Sequence, residues 1–262
     1  MNRVDPETVA RFERLKEATR FVMFETEVTE WPIGTHGGTA FVVVFEGKPY
    51  ALTARHVARD FRWNQLCILN NRLGRNIAGL KAVYHAGQTY GAAVETDLGD
   101  LQIIEFADHI DAAWFGDAIF NLDEPSMSRA EQGDALVIYG ALKEKSTILD
   151  GHIAPVFASL GFEDDGPSEF DPTLRICIGQ WEGIEFTSVT GMSGGPVFNM
   201  TRGGLSGLML RGGLRSDGLW SAHYLDIPDA VRILRSIHNG QLADRYEKVV
   251  SYAERDADIR PW

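Results

Sequence analysis

The spacing of apolar residues changes at about residue 20. Across residues 5–20, Val9, Phe12 and Leu15 recur at helical intervals, which predicts an amphipathic helix. Asp5 stands where an N-cap acceptor belongs, and Pro6 suits the first helical position, where its missing N–H is not needed. From residue 21 the pattern shortens to runs rich in β-branched and aromatic residues: FVMFETEV, TAFVVVF, PYALTA, AAVE and LQIIEF. A second set follows the stretch near 121–133: ALVIYG, APVFASL, RICIGQWEGIEF, GPVFN, GLML and SAHYLDI. Glycines and polar residues punctuate both sets, which predicts an all-β body of short strands. The acidic segment EDDGPSEFDPT (163–173) carries Gly and Pro and is expected to be an exposed loop. Residues 228–238, PDAVRILRSIH, predict a closing helix, with Asn239-Gly240 as its stop signal. The tail 241–262 mixes charges with Leu242, Tyr246, Val249 and Val250, and reads either as a further helix or as a frayed end.

Length and composition narrow the class. A chain of 262 residues suits one large all-β domain or two small barrels packed together. The net charge of -12, without any Lys/Arg run, argues against a nucleic-acid partner, whose phosphates require clustered cations. No apolar run approaches the roughly 20 residues that span a bilayer, so no membrane association is expected. The N-terminal stretch lacks the apolar core of a signal peptide, and the two cysteines, Cys67 and Cys177, allow at most one disulfide. A reducing, cytoplasmic setting is the expectation.

Three segments carry candidate chemistry. His56 ends the second strand of GTAFVVVFEGKPYALTARHV, Asp100 precedes the apolar run LQII, and Ser193 lies among glycines in GMSGGPVF. Taken singly, the His is a common strand-end residue, and the Asp is a common turn residue for which Asp97 would serve as well. The serine segment is more specific, because three glycines and a proline around one serine describe a backbone path that other residues resist. Gly191, Ser193 and Gly195 also fit the nucleophile elbow of α/β-hydrolases, but that fold needs helices between its strands, and they are missing here. The remaining histidines (His36, His85, His109, His152, His223, His238) show no metal-ligand spacing, and no glycine pair belongs to a phosphate loop. Neither a metal nor a cofactor is implied.

Taken together, the segments resemble the trypsin-like (chymotrypsin-fold) serine proteases. LTARHV resembles the family's TAAHC segment, with Arg55 and Val57 as departures. DLQII is similar to its Asp-led apolar strand, and GMSGGPVF to its GDSGGP. The order His, Asp, Ser at separations of 44 and 93 residues matches the family's roughly 45 and 95. The likeness runs from about residue 36 to 238. It implies two antiparallel six-stranded β-barrels, at 21–120 and 121–227, within a single peptidase domain over 1–262. A helix would precede them, and a helix and tail over 228–262 would follow.

It further implies a serine endopeptidase acting on protein or peptide substrates. Ser193 would be the nucleophile, His56 the general base and Asp100 its orienting partner, with the N–H groups of Gly191 and Ser193 as the oxyanion hole. Imidazole titrates near neutrality, which suits it to take the serine proton. Thr187 would lie at the base of the specificity pocket, beside Leu210, Gly212 and Ala222. A neutral Thr187 implies small or medium uncharged residues before the scissile bond, and Ala222 a narrowed pocket. Leu210 replaces the serine that usually touches the triad aspartate. Met192 replaces the aspartate that pairs with a freed N-terminus in the digestive members, so activation by cleavage after Arg20 is not expected. Two other readings remain open: a silent binding or scaffold module of the same fold, and a protease that a regulatory protein partner switches on.

Overall fold

The computed structural model describes residues 5–26, 33–35, 37–58, 65–72, 76–86, 100–149, 152–169, 171, 173–180, 188–241 and 246–251. Helix α1 (Pro6–Glu17) opens the chain, capped as expected: the Asp5 carboxylate accepts from the Thr8 N–H at 3.0 Å. Leu15 is buried, but Val9 is 42% exposed and Thr8 takes the inward position instead. The helix ends early because Thr19–Phe21 already pairs as a strand, β1.

The strands that follow are β2 (Met23–Glu25), β3 (Ile33–Gly34), β4 (Thr39–Phe45), β5 (Lys48–Ala54), β6 (Leu66–Cys67), β7 (Leu80–Ala86) and β8 (Leu101–Phe106). After the short helix α2 (Ala112–Phe115) comes β9 (Phe120–Asn121). The second half holds β10 (Ala135–Ala141), β11 (Thr147–Leu149), β12 (His152–Ala154), β13 (Phe157–Pro167), β14 (Leu174–Gly179), β15 (Pro196–Asn199), β16 (Gly204–Leu214) and β17 (Trp220–Asp226). Helix α3 (Ile227–His238) and strand β18 (Tyr246–Ser251) close the described chain.

The second half is a closed six-stranded barrel in the order β10-β13-β14-β17-β16-β15. The described residues of the first half form a second sheet system. Its main sheet runs β1-β4-β5-β8-β7-β18 with β9 added parallel to β4, beside a separate three-stranded sheet, β3-β2-β6. Two features shape it. The chain leaves the main sheet at Val22, so that β2 pairs with β3 and β6, and the tail adds β18 to the edge of β7. The described part of the tail, 246–251, is therefore a strand. The AAVE segment lies outside the described residues.

The acidic segment also departs from expectation. Residues 163–167 continue β13, with Leu160, Phe162 and Asp164 on the buried side. Asp164 is an ion in an apolar column, and that charge hid the two-residue period. Its carboxylate takes an ion pair from Arg175, a hydrogen bond from the Tyr224 hydroxyl and a 3.0 Å bond from the Gly166 N–H. Paired in this way, a buried charge is tolerated.

Arg20 is a further deeply buried charge, at 1% exposure. Nε donates to Leu69 O at 3.0 Å, Nη1 to Glu17 O and Thr19 O, and Nη2 to Asn70 O and Ala118 O. All five guanidinium N–H groups are thereby satisfied. Burial lowers its pKa to about 10, which leaves it protonated at neutral pH. Among the described residues, no helix is long and apolar enough to cross a membrane.

Candidate active site

The β4–β5 hairpin turns through Glu46 and Gly47, both at positive φ (49° and 80°). Two such residues make the tight turn whose twist suits the flanking strands. Strand β5 then delivers the chain to a 3-10 turn, Arg55–Ala58, which carries His56. Strand β8 pairs with β5, Leu101 opposite Ala54, so Asp100 lies against that turn. The Asp100 carboxylate accepts from the His56 backbone N–H (3.0 Å, Oδ1) and engages the ring Nδ1 (2.7 Å, Oδ2). With the ring proton on Nδ1, Nε2 is left as an acceptor.

The serine segment folds back between the two halves. Gly191 and Gly194 have φ of 102° and 85°, the left-handed region that glycine enters without strain. A Cβ on Gly194 would stand 1.9 Å from Thr39 O, so only glycine permits this approach. Met192 is fully buried in the core of the second barrel, which also holds Val189, Met209, Trp220 and Ala222. Its N–H donates to Val189 O (3.1 Å), and its carbonyl accepts from Gly195 N–H (2.8 Å). Among the described residues, neither the Gly191 N–H nor the Ser193 N–H meets an acceptor.

His56 and Ser193 line one cavity of about 310 Å³, together with Thr190, Gly191, Arg211 and Gly212. Val189 and Met209 supply apolar lining, and there is no carboxylate among the described lining residues. The structure thus brings together His56, Asp100, Ser193, Gly191 and Gly212. Leu210 and Ala222 are fully buried in separate apolar clusters and do not line this cavity. Thr187 and Asp97 lie outside the described residues. His223 stands opposite Arg211 in the β16–β17 register. Burial, and then the Arg211 charge, lower its pKa, which keeps it neutral at pH 7. Sequence reasoning missed Arg211 as a cavity residue and Thr39 as a contact of the serine loop. A polar residue opening the otherwise apolar run TAFVVVF was the available signal for Thr39.

No family model matches the chain, and no curated protein matches it. Solved structures do. An AlgW variant, an HtrA-type protease with a tripeptide, superposes at a TM-score of 0.50 with 18% identity, over 88% of this chain and 63% of that one. AlgW with a decapeptide gives 0.54 and 15% identity over 89% and 68%. A scabies mite inactivated protease paralogue gives 0.56 and 13% identity over 89% and 95%. This chain therefore spans about two thirds of the HtrA-type chains and nearly all of the mite protein. At these identities the likeness shows the fold alone, which is that of the trypsin-like serine proteases.

Proposed function

We propose that the protein is a serine endopeptidase that hydrolyses peptide bonds through an acyl-enzyme intermediate. The observation that carries this reading is the Asp100–His56 pair, whose imidazole shares a cavity with Ser193. In this reading the Ser193 hydroxyl attacks the scissile carbonyl as His56 Nε2 takes its proton, and the imidazolium then protonates the leaving amine. Water, activated by the same imidazole, releases the acyl group. The N–H groups of Gly191 and Ser193 receive the oxyanion, and each such donor typically contributes about 3 kcal/mol to the transition state. Asp100 fixes the tautomer and stabilises the imidazolium.

The cavity supports a substrate class. Among the described lining residues Val189 and Met209 are apolar and none is a carboxylate, which favours small or medium uncharged side chains before the scissile bond. A cation there would stand near Arg211 with no countercharge among the described lining residues, at a cost of several kcal/mol. Thr187 at the pocket base remains part of this proposal, as do Leu210 and Ala222, which would shape it from behind. A reducing, cytoplasmic compartment fits the two buried, unbridged thiols. The deciding experiment is labelling with a serine-directed fluorophosphonate. Wild type should be labelled on Ser193 and Ser193→Ala should not. No label on wild type, alone or with lysate added, would instead favour a silent binding module, and label only with lysate a partner-switched protease.

A further inference from the structure

We infer that Thr39, at the start of β4, is the positioning residue that holds the oxyanion donors in their competent orientation. This rests on the serine-protease reading of Ser193 and Gly191, and deepens it. Thr39 is fully buried, and each of its polar atoms joins a different part of the site. Its N–H donates to Ser193 O at 2.9 Å, and its carbonyl accepts from the Thr53 hydroxyl at 2.7 Å. Its Oγ1 lies 2.7 Å from Gly191 O and 2.9 Å from Ala141 N. Since Ala141 N–H must donate, the single hydroxyl proton is directed to the Gly191 carbonyl.

That carbonyl matters because peptide planes carry their C=O and N–H on opposite sides. Thr190 O is held by Lys143 N–H at 2.9 Å, which turns the Gly191 N–H away from Lys143. Met192 O is held by Gly195 N–H at 2.8 Å, which sets the Ser193 N–H. Between these two peptides lies the Gly191–Met192 plane, whose N–H donates to Val189 O at 3.1 Å within the loop and whose carbonyl Thr39 ties to β4. Gly191, free of a Cβ at φ 102°, offers little steric resistance to rotation there, so without Thr39 only the longer Met192–Val189 bond would restrain the plane. The hydroxyl thus ties the middle of the oxyanion loop to β4 and β10 at once. In digestive relatives, by the resemblance above, an ion pair made by a freed N-terminus orders this loop. Here Met192 fills that position with an apolar side chain, and Thr39 supplies the polar tie.

The test compares Thr39→Val, which replaces the hydroxyl with a methyl of similar shape, with Thr39→Ser, which keeps it. Peptide-hydrolysis kinetics and amide hydrogen exchange of residues 188–195 are measured on the full chain. Val should lower kcat by roughly ten- to hundredfold with KM near wild type, a fraction of what deleting an oxyanion donor costs. Val should also speed exchange at the Met192, Gly194 and Gly195 amides, and Ser should restore both readouts to within a few-fold. If Val does not fold, Thr39→Ala replaces it in the same contrast with Ser. Wild-type kcat and exchange in Val, or equal losses in Val and Ser, would overturn the inference. Wild type that neither hydrolyses peptide nor takes a fluorophosphonate, while Val still frees these amides, would sink the protease reading and leave the tie standing.

Discussion

One carboxylate, that of Asp100, holds His56 at two points: the backbone N–H at 3.0 Å and the ring Nδ1 at 2.7 Å. The first contact fixes the turn and the second fixes the ring, so the aspartate sets position and tautomer together. Asp100→Asn should keep the fold but present an amide N–H₂ to one of these donors and favour the wrong tautomer. The rate should fall by roughly four orders of magnitude, the loss known for the template triad. Steady-state kinetics on Asp100→Asn and Asp97→Asn check the assignment; a dead Asp97 variant beside a normal Asp100 variant would reverse it.

Ser193→Ala should remove covalent labelling and nearly all turnover without lowering the melting temperature. His56→Ala should cost about as much, and the double variant little more, because triad members act as one unit. Additive losses in the double variant would mean that the two side chains do not share a step.

The Asp164–Arg175–Tyr224 cluster gives a stability prediction. Asp164 has a fully buried side chain and Arg175 one only 12% exposed. Arg175→Met leaves the carboxylate unpaired in the barrel interior and should cost roughly 3–5 kcal/mol in urea unfolding. Arg215→Met, which removes an exposed pair with Asp217, should cost under about 1 kcal/mol.

Glu105 gives a pH prediction. Burial, the largest influence, raises its pKa, but bonds from Lys48 and Tyr84 and the charges of Lys48 and Lys81 together outweigh it and the net direction is down. A carboxylate lowered in the fold stabilises above its unfolded value, near about 4.3, and loses that contribution as pH falls through the folded value. Glu105→Gln should therefore be less stable than wild type by roughly 1–3 kcal/mol at pH 7. Unfolding curves at pH 7, 4 and 3 should show the gap closing towards acid; a gap that widened would contradict the sign.

The thiols should be inert. Burial pushes the Cys67 thiol up to about 12, and Cys177, also through burial, well above its usual value. Iodoacetamide at pH 8 should leave the native mass unchanged, and reductant should alter neither turnover nor melting temperature.

The parts of this molecule legible in sequence were those with undiluted local signals. The capped helix at Asp5, the strands TAFVVVF and LQIIEF, and the helix after Pro228 all appear as their periodicity implies. Ser193 and His56 were legible through their motifs, which encode turns as well as side chains. What escaped was set by tertiary partners. Strand β13 carries an aspartate in its buried column, balanced by an arginine eleven residues on. Strand β18 depends on an edge of β7 far away in sequence. The small sheet of the first half arises from a departure at Val22 that no local pattern announces.

The Arg20 guanidinium has a further meaning for how such a protein can be controlled. Its five carbonyl partners come from Glu17 and Thr19 at the junction of α1 and β1, from residues 69–70 and from residue 118. The residue that offers a basic cleavage point is thus the knot joining three distant stretches, and no protease reaches it without first undoing them. Clipping there would first have to part those three stretches. Such a cut would detach the guanidinium and its helix from the strand they fasten, so α1 and Arg20 count as part of the framework of the first sheet.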